Sequence, residues 1–153
     1  MRKFSGAIAA LVAIACGAAQ AEPSIQTAST SPAELDYLQQ CSGCHQADGS
    51  GSATNRVPPL PGSVGHFARS AAGRAFLVQV GGVAQSPLSD AAIAALLNWL
   101  LPTFDAANLP ASFTPFSAAE VASARAHRPG DIAALRESLA ATLAADGHRV
   151  ARY

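Results

Sequence analysis

The strongest constraint on this chain is the sequence CSGCH at positions 41–45. Two thiols two residues apart, followed by an imidazole, are compatible with a disulfide, a redox dithiol, half of a zinc site or a haem attachment site. A zinc site lacks a second cysteine pair, because the only other cysteine is Cys16. A dithiol of the thioredoxin type requires a βαβ context, which the sequence does not show. The order C-x-x-C-H is that of a covalent haem site, with Cys41 and Cys44 as thioether donors and His45 as proximal axial iron ligand.

The N-terminus has the pattern of a secretory signal peptide. Two basic residues precede a short apolar run, which ends at a small-x-small cleavage pattern, AQA at 19–21. We therefore expect residues 1–21 to be removed from an exported, periplasmic protein, and residues 22–30 to form a polar linker. Two alternatives remain open: an uncleaved anchor, and lipoprotein processing at Cys16.

Composition and charge limit the classes of partner. Half of the residues are apolar and 13% are charged, which favours a compact fold, but aromatic residues are few. A large apolar cofactor would supply core that an alanine-rich chain lacks. Removal of 1–21 leaves eight arginines against ten acidic residues, a formal charge of −2. The charges are scattered, so we expect no nucleic-acid partner, and no later apolar run is long enough for a membrane span in the mature chain.

The pattern of caps and apolar spacing predicts an all-α fold. Residues 46–73, which are rich in glycine and proline, and residues 81–88 are predicted to be loop. Residues 102–116 are predicted to be a non-helical connector that begins where Pro102 ends a helix. The predicted helices cover about 32–42, 74–80, 90–101, 117–127 and 131–146, with Ser31, Ser89, Ser117 and Asp131 as N-caps.

From residue 31 to about 105 the chain resembles the class I c-type cytochromes. Besides the C-x-x-C-H motif, the similarity rests on QADGSG at 46–51, PPLPG at 58–62 and PLSD at 87–90. The resemblance implies a cytochrome c-like helical domain around one covalent haem c, in which the last core helix crosses the first. It also implies that a proline carbonyl, of Pro58 or Pro59, accepts the Nδ1 proton of the proximal histidine. Residues 106–153 form a helical extension beyond this domain.

The sequence departs from the family at the second axial ligand, which is usually a methionine between the last two core helices. The corresponding segment, 81–88, has none, and the only methionine is Met1. His66, in a loop after the proline segment, is the best candidate for a distal axial ligand. Water or an open site is the main alternative, and weaker candidates are His127, which we expect to be a helix cap, His148 and Gln85.

Other side chains could contact a haem or serve ordinary structural roles. Arg56, Arg69 and Arg74 flank the predicted haem loops, where a guanidinium could pair with a propionate or simply face solvent. Trp99 could pack against the porphyrin or within the core.

The function that the sequence favours on this basis is electron transfer rather than enzymatic catalysis. The expected partners are an exported dehydrogenase upstream and an oxidase or another cytochrome downstream. Two alternatives are an open-site haem protein that binds small ligands, and a cytochrome subunit of a dehydrogenase complex. In the second alternative, 106–153 would dock the catalytic partner instead of covering the domain's own core.

Overall fold

A computed structural model describes residues 30–151, and every regular element in this range is a helix. The α-helices are α1 Pro32–Gln40, α2 Ser42–His45, α3 Val64–Phe67, α4 Ala71–Gln79, α5 Gly81–Ala84, α6 Asp90–Asp105, α7 Ala118–Ala126 and α8 Ile132–Ala145, and a 3-10 turn at Ala106–Asn108 follows α6. An isolated bridge joins Ser52 and Val57, and no strand forms in residues 30–151. The prediction of an all-α fold is therefore confirmed for this range.

Two predictions concern the N-terminal part of the chain. The signal peptide at 1–21 and the linker at 22–30, apart from its last residue, lie outside the described residues. Within 30–151, no helix is both long enough and apolar enough to cross a membrane.

Side-chain caps begin the helices as predicted. The side chains of all four predicted caps accept a hydrogen bond from the backbone N–H three residues further on. Ser70 caps α4 in the same way, so this helix begins at Ala71, three residues earlier than the predicted start.

The prediction that Pro102 ends a helix is wrong, because α6 continues to Asp105. A proline inside a helix removes one backbone donor and crowds the preceding turn. Here the hydroxyl of Thr103 donates to the carbonyl of Trp99 at 2.6 Å and supplies a donor in the disturbed turn.

Two short helices, α3 and α5, occupy segments that were predicted to be loop. The turn that contains α3 is held from a distance, since the carboxylate of Asp105 accepts hydrogen bonds from Gly62 N (3.0 Å) and Gly65 N (2.8 Å). This carboxylate lies 40 or more positions further along the chain, so local sequence gives no sign of it.

The crossing of α1 and α6, which the resemblance implied, is centred on Tyr37. This side chain is fully buried, and its ring lies 5.5 Å from Trp99 and 4.9 Å from Phe104. Its hydroxyl donates to the carbonyl of Gln46 at 2.6 Å, which ties α1 to the loop after α2. Burial, with smaller contributions from Cys41 and Asp48, raises the pKa of Tyr37 to about 12, so the hydroxyl remains a donor at neutral pH.

The C-terminal segment, residues 106–151 of the described chain, packs onto this core. Phe116, Val121 and Leu143 join the same buried cluster as α1, α4 and α6. The Asn98 side chain donates to Phe116 O at 3.0 Å and accepts from Phe116 N at 2.7 Å. A guanidinium–carboxylate pair between Arg74 and Glu120, at 2.6 and 2.8 Å, joins α4 to α7.

Truncation of Tyr37 should destabilise the fold strongly. Tyr37→Ala removes a buried ring from the α1–α6 contact and is expected to lower the free energy of unfolding by about 3–5 kcal/mol. Tyr37→Phe loses the hydrogen bond to Gln46 alone and should cost about 1 kcal/mol. Unfolding in guanidinium chloride followed by circular dichroism measures both.

The control is Leu35→Ala, on the same helix but 46% exposed, which should change the stability by about 0.5 kcal/mol or less. A Tyr37→Ala protein as stable as this control would contradict the role assigned to the ring.

Candidate haem site

The two cysteines lie where α1 gives way to α2. The predicted single helix to about 42 breaks at Cys41, whose φ of −121° and ψ of −37° are not helical, and α2 begins at Ser42. Cys41 is half-buried, Cys44 is exposed, and they form no disulfide. Burial, then the charges of Asp36 and Cys44, raise the pKa of Cys41 to about 11. A redox-active dithiol requires a lowered thiol pKa, so the environment of Cys41 does not favour that alternative.

A zinc site does not fit this position either. Within residues 30–151, no group of three or more histidine, cysteine, aspartate or glutamate side chains is arranged to hold a metal ion. The zinc alternative would need four ligands around the motif.

His45, the last residue of α2, is oriented by a backbone carbonyl. Its Nδ1 lies 3.2 Å from the carbonyl oxygen of Pro58. Because a carbonyl only accepts, Nδ1 donates its proton and Nε2 keeps a free lone pair. The structure thus places Pro58, and not Pro59, at the position that the resemblance left open between them. Burial lowers the pKa of His45, and the hydrogen bond to Pro58 acts in the opposite direction.

Gly51 allows the backbone at Pro58 to approach His45. Its φ is +72°, and a Cβ at this position would lie 2.7 Å from the carbonyl oxygen of Pro58 and still closer to that of Val57. Gly51 N also donates to His45 O at 3.0 Å. A residue with a side chain would be strained here and would displace the carbonyl that orients the imidazole.

His45 faces an apolar cavity bordered by both cysteines. The cavity has a volume of about 320 Å³, within the range of small-molecule sites. Its apolar lining comes from residues 57–62, the proline loop, from α3, α4, α5 and α6, and from the residue between α4 and α5. The apolar side chains are those of Val57, Leu60, Val64, Leu77, Val80, Val83, Leu97 and Leu100. A smaller cavity of about 140 Å³ shares His45, Pro58 and four of these residues. The site thus combines two thiols and one imidazole with a free Nε2 beside an apolar slot. This combination fits a covalent haem.

A larger groove of about 570 Å³ lies between α4 and α7. Its lining mixes apolar residues with polar and charged ones such as Arg74 and Glu120, and it contains neither cysteine of the motif. We therefore place the candidate site at the smaller, apolar cavity.

The structure does not bring His66 to this cavity. Val64 and Phe67 share the face of α3 that lines the two cavities, and His66 points away from that face. The side chain is buried, with its ring stacked on His148 at 4.9 Å between centroids. Burial and the neighbouring His148 lower its pKa, and Asp105 acts in the opposite direction. Ligation by His66 would require α3 to rearrange.

The predictions for His127 and Trp99 can also be compared with the structure. His127 ends α7, with Nδ1 2.7 Å from the carbonyl of Ser123, as expected of a cap residue. Trp99 packs on Tyr37 and Phe104 and does not line the cavity.

The arginines divide between the cavity and the C-terminal segment. Arg56 lines the cavity, but Arg69 donates to Asn108 O and Arg74 binds Glu120. Sequence reasoning missed Arg136, which is 2% exposed, lines the smaller cavity and donates to the carbonyl of Ala151. It lies four positions after Ile132 on the apolar face of α8, a spacing that predicts burial.

The sequence was compared with those of known families and known proteins. No family profile matches it. Two curated relatives do, both named cytochrome c-552 and both from Thermus thermophilus. Each is 33% identical over 120 aligned residues, and the match covers 65% of this chain and 91% and 80% of the relatives. Identity over nearly the whole length of a relative, together with the all-helical fold, shows that the chain belongs to the c-type cytochromes, which are electron-transfer proteins rather than enzymes.

Proposed function

We propose that this cytochrome is a periplasmic carrier with one haem, attached through Cys41 and Cys44 and bound at the iron by His45. The observation that carries the proposal is the hydrogen bond from His45 Nδ1 to Pro58 O, which leaves Nε2 available in an apolar cavity that both cysteines border. A second partner that fixes the tautomer and the ring orientation is typical of histidines that bind a metal.

When bound, haem c supplies an iron that alternates between ferric and ferrous states. Cys41, directly before α2, and Cys44, within it, would hold the porphyrin through thioether bonds, and the aliphatic side chains of the cavity would pack against it. Arg56, at the same cavity, is the best placed of the expected arginines to pair with a propionate.

Export and partners complete the proposal. The signal-peptide pattern at 1–21 supports a periplasmic location. In that compartment the carrier would accept electrons from an exported dehydrogenase and pass them to an oxidase or another cytochrome. The alternative of a dehydrogenase subunit is less favoured, since the C-terminal segment directs Phe116, Val121 and Leu143 into the protein's own core.

Replacement of the cysteines tests the attachment. Each single variant, Cys41→Ser or Cys44→Ser, should keep one thioether, which shifts the pyridine haemochrome spectrum toward that of a haem with one free vinyl. The double variant should retain no haem after denaturation in acidified acetone. Ser42→Ala, between the two thiols, is the control and should behave as the unmutated protein.

Covalent haem in the double variant, or its absence from the unmutated protein, would contradict the attachment. The second result would also remove the basis for electron transfer by this chain.

A second candidate function is the binding of small ligands at an open iron. It is favoured by the lining of the cavity, which among the described residues is aliphatic apart from His45, the cysteines, Gln40 and Arg56. The position of His66 on the other face of α3 also favours it. The usual methionine is replaced by no strong iron donor in this lining. Such a haem could still carry electrons.

Low-temperature electron paramagnetic resonance of the ferric protein distinguishes an open iron from an iron that His66 binds as sixth ligand. We expect a high-spin signal, unchanged in His66→Ala, and binding of carbon monoxide by the ferrous form. His148→Ala is the matched control, because it disturbs the same ring stacking and leaves His66 in place. A low-spin signal that becomes high-spin in His66→Ala alone would instead establish His66 as sixth ligand and exclude an open site.

A further inference from the structure

The guanidinium of Arg125, on α7, directs its N–H donors at one short segment of the core. Nε and Nη2 donate to Ala84 O at 3.2 and 3.1 Å, and Nη2 also donates to Ser86 O at 3.1 Å. Nη1 donates to Leu88 O at 3.1 Å and to the carboxylate of Asp90 at 2.9 Å. Since a guanidinium holds its donors in a fixed planar arrangement, this set of acceptors fixes the path of residues 84–90 closely.

The segment bound by Arg125 continues directly into a wall of the haem cavity. Ala84 is the last residue of α5, and Gly82 and Val83 of this helix line the cavity. Carbonyls at the end of a helix have no partner within it, and a helix of four residues has little stability of its own. The guanidinium of Arg125, which binds Ala84 O and two carbonyls just beyond α5, therefore helps to hold this helix in place.

Three further hydrogen bonds hold Gln79, the last residue of α4, two positions before α5 begins. Arg128, three residues after Arg125, donates from Nε to Gln79 O at 2.8 Å. The side-chain amide of Gln79 donates in return to Ala124 O at 3.2 Å and to His127 O at 3.1 Å. The end of α7 thus binds the chain on both sides of α5.

Neither arginine lines the cavity, so any effect of theirs on a haem acts through α5. The side chain of Arg125 is 26% exposed and its ion-pair partner Asp90 is 36% exposed. The carbonyl contacts, and not the partly screened ion pair, are therefore the main restraint.

We propose that Arg125 is a positioning residue for the haem cavity. It fixes α5, and contacts with the C-terminal segment thereby hold the wall formed by Gly82 and Val83. The segment itself supplies no bond to the iron. The inference rests on the proposed haem site. It gives the C-terminal segment a role in controlling which molecules reach the iron and how fast.

The rate at which imidazole binds the ferric holoprotein, measured by stopped flow, tests the proposal. Arg125→Met keeps the length of the side chain and removes every donor. Because the proposal makes α5 a barrier on the path to the iron, the association rate should rise at least tenfold, which corresponds to about 1.4 kcal/mol in the opening of α5. Arg125→Lys, with one cationic donor group, should give an intermediate rate.

The matched control is Arg69→Met, because Arg69 also donates to a backbone carbonyl, that of Asn108, but forms no hydrogen bond with segment 79–90 among the described residues. Its rate should stay within about twofold of the unmutated protein. An unchanged rate in Arg125→Met would overturn the proposal.

Hydrogen exchange of the holoproteins separates local opening from general instability. In Arg125→Met, the amides of residues 81–88 should exchange at least tenfold faster while those of α1 are unchanged. Equal acceleration throughout the protein would mean that Arg125 is only a general stabilising residue and would overturn the proposal. If Arg125→Met does not fold, hydrogen exchange in the unmutated protein tests the proposal. Protection of the amides of 83–88 close to that of α6 supports a segment held by Arg125, and exchange as fast as in the exposed turn 53–56 overturns the proposal.

Failure of the underlying function gives a different result. An unmutated protein without covalent haem would refute the haem site, whereas covalent haem with unaltered imidazole binding in Arg125→Met would refute only the role of Arg125.

Discussion

The hydrogen bond between His45 Nδ1 and Pro58 O is the interaction on which the site depends. It selects the tautomer and the orientation of the imidazole, and it exists because Gly51, with positive φ, lets the proline loop approach the motif. Tyr37 contributes from the other side, since its hydroxyl holds Gln46 directly after the histidine. The motif is therefore fixed by contacts with α1 and with the proline loop before any cofactor is considered.

The C-terminal segment packs against the helices that line the candidate haem cavity. Arg74, Arg125 and Arg128 form polar contacts between the segment and the core, each with acceptors on the opposite side of the interface, and Phe116, Val121 and Leu143 supply apolar ones. Arginine suits this position because its aliphatic stem packs on apolar surface while its donors reach carbonyls at helix ends. The described residues beyond 105 thus support the helices around the candidate haem cavity, and of these residues only Arg136 lines the smaller cavity itself.

Sequence reasoning succeeded where the cause of structure is local. Serine and aspartate caps predicted the starts of four helices. The C-x-x-C-H motif located the candidate site, and the resemblance narrowed the carbonyl acceptor of His45 to Pro58 or Pro59, of which the structure shows Pro58. It failed where a distant residue or a particular side-chain contact decides. Asp105 shapes the turn at α3, Thr103 allows α6 to pass Pro102, and the guanidinium of Arg125 binds a segment about 40 positions earlier. The face of α3 that His66 occupies is likewise visible only from the packing of this helix.

Diffraction data collected at the iron absorption edge from crystals of the ferric holoprotein would test the central claim most directly. The account predicts one iron, bonded to Nε2 of His45, with Nδ1 still donating to Pro58 O and with both Cys41 and Cys44 joined to the porphyrin. An iron bound elsewhere, or a Cys41–Cys44 disulfide in a cavity without iron, would contradict it.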